Sequence, residues 1–308
     1  MNAGQNSNEM NQTSVGRDLY ARDLLLGYAI LAPSCYNTQP WKFAADDKEI
    51  KIFADEARWL KVADADQREL YISIACALEN LLIAAEHFGY SHRVSHSEDE
   101  KAVVVQIGFS GKSSTFRGQE LFEAIKIRHT NRKRYQIRPI PSETLALLQD
   151  VCIEDGIMIK MAEDEETKEK MSDLVSQANA LMFSNPAFRK ELGHWYGQGA
   201  FGSPLLISKI CQMLITQFDL GKLQAKNDSK TLMSASVLAM VCSEKNERST
   251  QVQAGQVFER IWLKATALGI SLQPMTQVLR VPDLKKEAAS LFSCSDDYPQ
   301  QIFRLGYA

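Results

Sequence analysis

Within Arg128-His129-Thr130-Asn131-Arg132, two guanidinium forks, a hydroxyl and consecutive backbone N–H groups fall in five residues. Such a set can bind an anion. Arginine suits phosphate in particular, because its planar fork donates paired hydrogen bonds. Five cations (Arg128, Arg132, Lys133, Arg134 and Arg138) lie within eleven residues of a chain whose 35 Lys+Arg and 38 Asp+Glu leave a net charge of −3. Taken alone, the run also reads as a solvated basic turn. No G-x-x-x-x-G-K-[ST] loop and no G-x-G-x-x-G after a strand pattern is present, so neither of those phosphate-binding modes is supported.

A second candidate is Ala32-Pro33-Ser34-Cys35-Tyr36-Asn37-Thr38-Gln39-Pro40-Trp41. Prolines hold this turn at both ends, and the amides of Asn37 and Gln39 can meet a flat heteroaromatic edge of alternating donors and acceptors. It reads equally as a helix stop followed by a strand start. The third candidate is Leu268-Gly269-Ile270-Ser271-Leu272-Gln273-Pro274-Met275-Thr276-Gln277, a helix stop running into a proline turn with backbone N–H groups free for a ligand. His194, beside Trp195, reads as an ordinary packed histidine. The six cysteines contain no C-x-x-C pair and share no zinc-ligand spacing with the five histidines, so they read as reduced, small hydrophobes.

The elements that position these segments follow from periodicity. A helix over 17–31 stops at Pro33, and strands over 41–44 and 49–54 form a hairpin across Asp46-Asp47-Lys48. Residues 67–87 form a helix whose apolar belt is too wide for one buried stripe, so it should be central. A strand over 101–108, a helix over 119–127, a helix over 142–151 after Pro139 and Pro141, and a strand over 157–162 follow. Glu163-Asp164-Glu165-Glu166 opens a solvated helix at its electropositive end. The reading closes with a buried strand over 237–242, helices over 251–268 and 283–291, and a strand over 302–305. Displacing the chain by 180 residues lays Leu78-Glu79-Asn80-Leu81-Leu82, Ala85 and Gly89 on Phe258-Glu259-Arg260-Ile261-Trp262, Ala265 and Gly269. This echo suggests a duplicated unit, although any two apolar helices overlay to some degree.

With 308 residues the chain is long enough for two domains or one large one. Its 45% hydrophobic and 24% charged residues are those of an ordinary globular protein. There is no basic excess for non-specific nucleic-acid binding. The first sixteen residues are polar, with no secretory core, and stretches such as Leu24–Ala32 fall short of the ~20 residues of a membrane span. The expectation is a cytoplasmic protein with neither nucleic acid nor membrane as partner.

Taken together, the A-P-S-x-x-N-x-Q-P-W loop, the long helix ending A-A-x-x-x-G-Y, R-H-T-x-R followed by P-x-P, and the terminal R-L-G-Y resemble the nitroreductase-like flavoproteins. In the short members R-x-S/T-x-R precedes the A-P-S loop. Here the order is reversed, which resembles the longer, internally duplicated Acg-like FMN-binding branch, covering roughly residues 17–308. The resemblance implies an α+β fold of two pseudo-repeated halves, each a mostly antiparallel sheet flanked by helices. The halves would form an intramolecular pseudo-dimer, so that a monomer carries both sides of the site. The implied organisation is a disordered tail over 1–16, a first half over 17–112 and a second over 113–308, with a lid insertion over 163–230.

Residue by residue, the resemblance places Arg128, His129, Thr130 and Arg132 at the phosphate and ribityl end of FMN. Pro33, Ser34, Cys35 and Asn37 would face the ring from the opposite half, and Pro274, Met275, Thr276 and Gln277 would lie along it. Where Thr276 and Gln277 stand, short members often have an acidic residue and a glycine, so ring electronics should differ. Asn227 and Lys230 offer only a loose match to a further ring-contacting segment. The segment 180 residues after Pro33–Trp41 has no proline-amide loop, and the start of the chain has no R-x-T-x-R. One FMN per chain is therefore expected. The implied activity is hydride transfer from NAD(P)H to flavin N5 and on to a nitroaromatic or quinone-like acceptor, with no obligate catalytic side chain. The alternative is a protein that sequesters FMN beneath a lid around 185–203, with Gly193, Gly197, Gly199 and Gly202 lending mobility.

Overall fold

In the computed structural model, the described residues are 21–46, 49–97, 102–108 and 117–308. The expected tail over 1–16, the start of the first helix and the expected boundary at 112/113 lie outside them. The helices are α1 (21–29), α2 (Arg68–His87), α3 (Gln119–Ile127), α4 (Ser142–Gln149), α5 (Glu165–Ser184), α6 (Pro186–Gly197), α7 (Leu205–Gln217), α8 (Gly221–Leu232), α9 (Arg248–Ala267) and α10 (Pro282–Leu291). The strands are β1 (Trp41–Ala45), β2 (Glu49–Ala54), β3 (Ser91–Ser97), β4 (Ala102–Gly108), β5 (Ile157–Ala162), β6 (Val237–Ser243), β7 (Ser271–Pro274) and β8 (Tyr298–Gly306).

Two four-stranded sheets result, in the orders β1-β2-β4-β3 and β5-β6-β8-β7, antiparallel throughout. The second sheet thus repeats the strand order of the first. In each, a twenty-residue helix connects the second strand to the third, and these helices, α2 and α9, start and end 180 residues apart. The architecture is the expected α+β one. β3 and β7 escape the sequence reading because both are edge strands: β3 has a single apolar residue, Val94, and β7 has four residues ending in Pro274.

Core placement follows from residue patterning. In β6, Val237, Ala239 and Val241 pack into the core shared with α2 and α9, while Leu238, Met240 and Cys242 pack into a second core with α5 and α10. Both faces are covered, so the strand reads as one continuous apolar run. α2 buries every residue except Tyr71 and His87. By length and apolarity it alone among the described helices would pass for a membrane span, but 89% of that stretch is buried inside the protein.

α2 and α9 pack closely against each other. A Cβ on Gly255 would sit 2.5 Å from the Cβ of Ala75, its counterpart by the 180-residue displacement. Around this point buried polar groups are arranged reciprocally. Glu79 accepts from Gln256 Nε2 (2.8 Å) and Arg260 Nη1 (3.0 Å). Glu259 hydrogen-bonds with Cys76, and the Asn80 amide, with its nitrogen turned toward it, lies 3.1 Å away. Displacement by 180 converts the first set of positions into the second.

The two carboxyls nevertheless end in different states. Burial alone would raise Glu79, but Arg117 and Arg260 outweigh it and hold the carboxyl below its usual range. Glu259 is pushed up to about 7 by burial, against which Arg128 (3.7 Å) provides only part of the compensation. Asp64, buried beneath the start of α2 beside Glu69, is also pushed up to about 7. A carboxyl whose folded pKa exceeds its unfolded value stabilises the fold at low pH and loses that contribution as pH rises through the folded pKa. Thermal stability should therefore fall between about pH 5 and pH 7.5, and Glu259→Gln should flatten the slope. A parallel pH series of unfolding midpoints checks this; equal slopes would remove the argument.

Candidate functional site

Between the turn after α1 and the start of α2 on one side and β7 with α5 to α9 on the other lies a cavity of about 590 Å3, within the ~300–1,000 Å3 range of cofactor and ligand sites. One wall is the turn after α1. Its backbone is strained, with positive φ at Tyr36 (51°), Asn37 (54°) and Gln39 (50°). Local hydrogen bonds hold it there: Gln39 N–H donates to Ser34 Oγ (2.9 Å), and Cys35 N–H donates to Ser73 Oγ of α2 (3.3 Å). Pro33, Ser34, Cys35 and Tyr36 line the cavity.

The opposite wall is the stretch from β7 into the turn after it, where Gln273, Pro274, Met275, Thr276 and Gln277 all reach the cavity. Met275 N–H is anchored on Ile302 O of β8 (2.8 Å), and Thr276 hydrogen-bonds to Glu69. Arg280, next in the same turn, donates from Nη1 to Tyr36 Oη (2.6 Å) and from Nη2 to Cys35 Sγ (3.0 Å). Burial pushes the Cys35 thiol and the Tyr36 phenol well up, and Arg280 only partly offsets it, so both stay neutral near pH 7. The permanent charge there is that of Arg280.

Two carboxyls line the cavity, and their surroundings separate them. Burial would raise Glu69, but Arg68 and Arg280 overcome it and keep the group ionised. Asp228 of α8 accepts from Asn179 (2.9 Å), Gln224 (2.8 Å) and Gln277 (3.1 Å), yet burial still raises it above its usual range. Of the two, Asp228 is the one suited to holding a proton.

The basic run is extended and pinned by its middle residue. Asn131 donates from its backbone to Leu272 O (3.3 Å) and from its side chain to Ser271 Oγ (3.2 Å), while Arg304 donates to Lys133 O (2.6 Å). This places Thr130 and Arg132 in the cavity wall. Arg132 lies 5.9 Å from the Phe201 ring centroid and makes no side-chain ion pair or hydrogen bond among the described residues.

Three of the residues expected at the site lie outside the lining. Arg128 sits over the back of it, 4.5 Å from the Trp262 ring centroid, 3.7 Å from Glu259, and donating to Leu31 O (3.3 Å). The carboxylate at the helix crossing draws it inward. His129 is exposed, with its ring against Ile127 O (3.1 Å). Asn37 turns away to donate to Ala200 O (3.0 Å), joining the turn to the segment after α6.

The sequence reading misses Arg280, Asp228, Glu69, Trp262 and the stacked pair Tyr196 and Phe201 (4.0 Å, 16°). Arg280 had a signal, four residues after Thr276, and Asp228 follows Asn227, the first residue of the loose Asn227–Lys230 match, which also lines the cavity. The expected lid insertion is the four helices α5 to α8. Gly193 and Gly197 are not hinges: a Cβ on either would collide with Thr216 Oγ1 (2.4 Å) or the Gln212 side chain (2.0 Å), so they let α7 approach α6. Gly199 and Gly202, both at φ +75°, form the turn that follows.

No family model matches the chain. A Mycobacterium tuberculosis H37Rv protein named "Putative NAD(P)H nitroreductase Rv3131" is 24% identical over 294 residues, 92% of this chain and 84% of that one. A second protein of the same strain, acg, with the same description, is 23% identical over 289 residues, covering 91% and 87%. Among solved structures, an FMN-dependent nitroreductase from Mycobacterium smegmatis in complex with NADPH covers 62% of this chain and 88% of its own, at 15% identity and a TM-score of 0.43. A nitroreductase with bound FMN from Bacteroides fragilis gives 16% identity and a TM-score of 0.41. The alignments with these mycobacterial relatives cover more than nine-tenths of this chain and support a nitroreductase-like family for it.

Proposed function

We propose that the cavity holds one FMN and that the chain is an FMN-dependent NAD(P)H oxidoreductase acting as its own dimer partner. The observation that carries this is the meeting, around one cavity, of the proline turn from one half and the Pro274 segment and basic run from the other. The lining also fits a polar heteroaromatic. Trp262 Nε1, Arg280 Nε and Gln301 Oε1 are buried without a partner among the described residues, two donors and one acceptor. FMN, when bound, supplies two-electron chemistry between NAD(P)H and a nitroaromatic or quinone-like acceptor.

On this reading Thr130 and Arg132 hold the phosphate end, and Arg280 places a fixed positive charge beside Cys35 and Tyr36 where an anionic ring would be favoured. Phe201 and Tyr196 exclude water from one side, and burial shifts the Asp228 carboxyl toward its protonated form. The absorbance spectrum of the purified protein, with its flavin-to-chain ratio, tests the reading. One FMN per chain is expected, and a colourless protein that takes up no FMN on titration would refute it.

Arg132→Ala should weaken FMN binding by roughly ten- to a hundredfold, since a hydrogen bond to a charged group contributes ~1.5–3 kcal/mol. The loss should shrink with salt, because screening weakens the same contact in the parent. Arg128→Ala should mainly lower the unfolding midpoint, because it removes the cation beside Glu259. Fluorescence titration of FMN against both variants distinguishes them, and the reverse ranking would move the phosphate to Arg128.

A second reading, sequestration of FMN with little turnover, is favoured by the way α5 to α8 close over the cavity. Asn37 hydrogen-bonds to Ala200, and Tyr36 packs on Phe201 (5.9 Å). Steady-state NADH and NADPH oxidation, with and without a nitroaromatic, decides. Rapid turnover rejects sequestration, whereas flavin that stays oxidised under excess nicotinamide rejects the reductase.

A further inference from the structure

α7 is turned with its polar side inward. Of its thirteen residues only Ser208 and Ile215 are buried, and Gln212 and Thr216 face the glycines of α6. Leu205 (70%), Leu206 (74%), Ile207, Ile210, Met213 and Leu214 are exposed, and Phe218 and Leu223 extend the patch. Eight of the eighteen large apolar side chains exposed among the described residues thus fall within nineteen residues. Scattered exposed leucines need no explanation, but a contiguous apolar face marks a contact surface. Its border is basic. Lys209, Lys222, Lys226 and Lys230 are exposed and make no ion pair among the described residues, while the acidic groups from α7 through α8 are Asp219, in the connection between them, and the amide-bound Asp228.

We propose that α7 and the start of α8 dock on an anionic lipid surface, with Leu205, Leu206, Ile207 and Ile210 entering the acyl boundary and the lysines meeting headgroups. An apolar helix face with a lysine rim has that complementarity. A second copy of the chain fits less well, since a two-fold contact would set these lysines against themselves. This docking departs from the expectation of no membrane partner and involves no membrane span. Leu214 and Leu223 belong both to this face and to the cavity lining, so the two share a rim. Resting on the oxidoreductase reading, this favours an acceptor with an apolar tail, such as a membrane quinone, that reaches the cavity from the lipid side.

Co-sedimentation of the full chain with phosphatidylcholine vesicles, with and without phosphatidylglycerol, tests the docking. Sedimentation with the anionic vesicles is expected, falling with salt and at least about tenfold in Leu206→Glu/Ile210→Glu, which removes two apolar anchors and sets two negative charges against the headgroups. Both positions are exposed, so the variant should keep its unfolding midpoint. Lys222→Glu/Lys226→Glu gives an independent arm that leaves the apolar face intact. Equal binding to both vesicle types, no binding to either, or a dimer in solution that Leu206→Glu dissociates would each overturn the proposal. Vesicle binding is read without turnover, so it stands or falls separately from the flavin assignment. Vesicle-dependent stimulation with a long-tailed quinone but not a short one tests the acceptor.

Discussion

Arg260→Ala lowers the unfolding midpoint by on the order of 10 °C, by an expected ~3–5 kcal/mol for removing one partner of a buried ion pair. Its side chain is 2% exposed and joins both halves of the chain. Nη1 donates to Glu79 of α2 (3.0 Å), Nη2 pairs with Glu154, and Nε donates to Val151 O (3.1 Å). Without it, Glu79 keeps Arg117 (2.6 Å) and Gln256, but one carboxylate oxygen loses a charged donor in a site water does not reach. Desolvation then weighs against the ionised form, and the carboxyl should titrate upward. The double variant Arg260→Met/Glu79→Gln should recover part of the loss, because the fully buried carboxylate goes with the guanidinium, while Arg117 keeps Glu86 and Glu154 is nearer to solvent. Thermal unfolding followed by circular dichroism measures all three. A single variant as stable as the parent would show that the halves do not depend on this network.

The second large effect is at Gly255. Replacing an interior helical glycine by alanine ordinarily stabilises a helix by ~1 kcal/mol. Here the new Cβ would lie 2.5 Å from Ala75 Cβ, 2.8 Å from Ile72 O and 2.9 Å from Ile72 Cα. Two of these three atoms are backbone, so relief requires the helices to part, and overpacking of this kind costs ~1–3 kcal/mol or more. The strain should exceed the propensity gain. Gly255→Ala is expected to destabilise, and Gly255→Leu to prevent assembly of the halves and, with it, any cavity between them. Gly27 in α1, whose added Cβ would meet nothing within 4 Å, is the control, and Gly27→Ala should be neutral or stabilising. A Gly255→Ala protein with an unchanged or higher midpoint would show that α2 and α9 can separate freely.

Both effects concern the contact between α2 and α9, and this is where sequence and structure divide. The helices α2 and α9 were legible because a wide apolar belt and a glycine stop are local properties, and the 180-residue echo identified their register to the residue. The same holds for β1, β2 and β5, whose alternation or β-branched content lies in contiguous residues. Edge strands β3 and β7 were not legible, since their hydrogen bonds to β4 and β8 substitute for an apolar pattern they lack.

At the candidate site, the short segments that would supply a flavin pocket were visible as motifs: Pro33, Ser34 and Cys35, Thr130 and Arg132, and Pro274 to Gln277 all reach one cavity. The direction of individual side chains within those motifs was not visible. Arg128 and Arg132 look alike in sequence, four residues apart. The fold sends Arg128 to Trp262 beside Glu259 and leaves Arg132 at the cavity wall. A guanidinium goes where an unpaired buried carboxylate is, and that carboxylate lies 131 positions away. Arg280 and Asp228 became site residues for the same reason, through partners on other elements, Tyr36 for the one and Asn179 and Gln277 for the other. The sequence by itself determined the motif-bearing turns and the elements other than β3, β7 and α6 to α8, because those depend on neighbours along the chain. The tertiary structure alone decided which charges face the cavity, because burial and electrostatic compensation are settled between residues far apart in sequence.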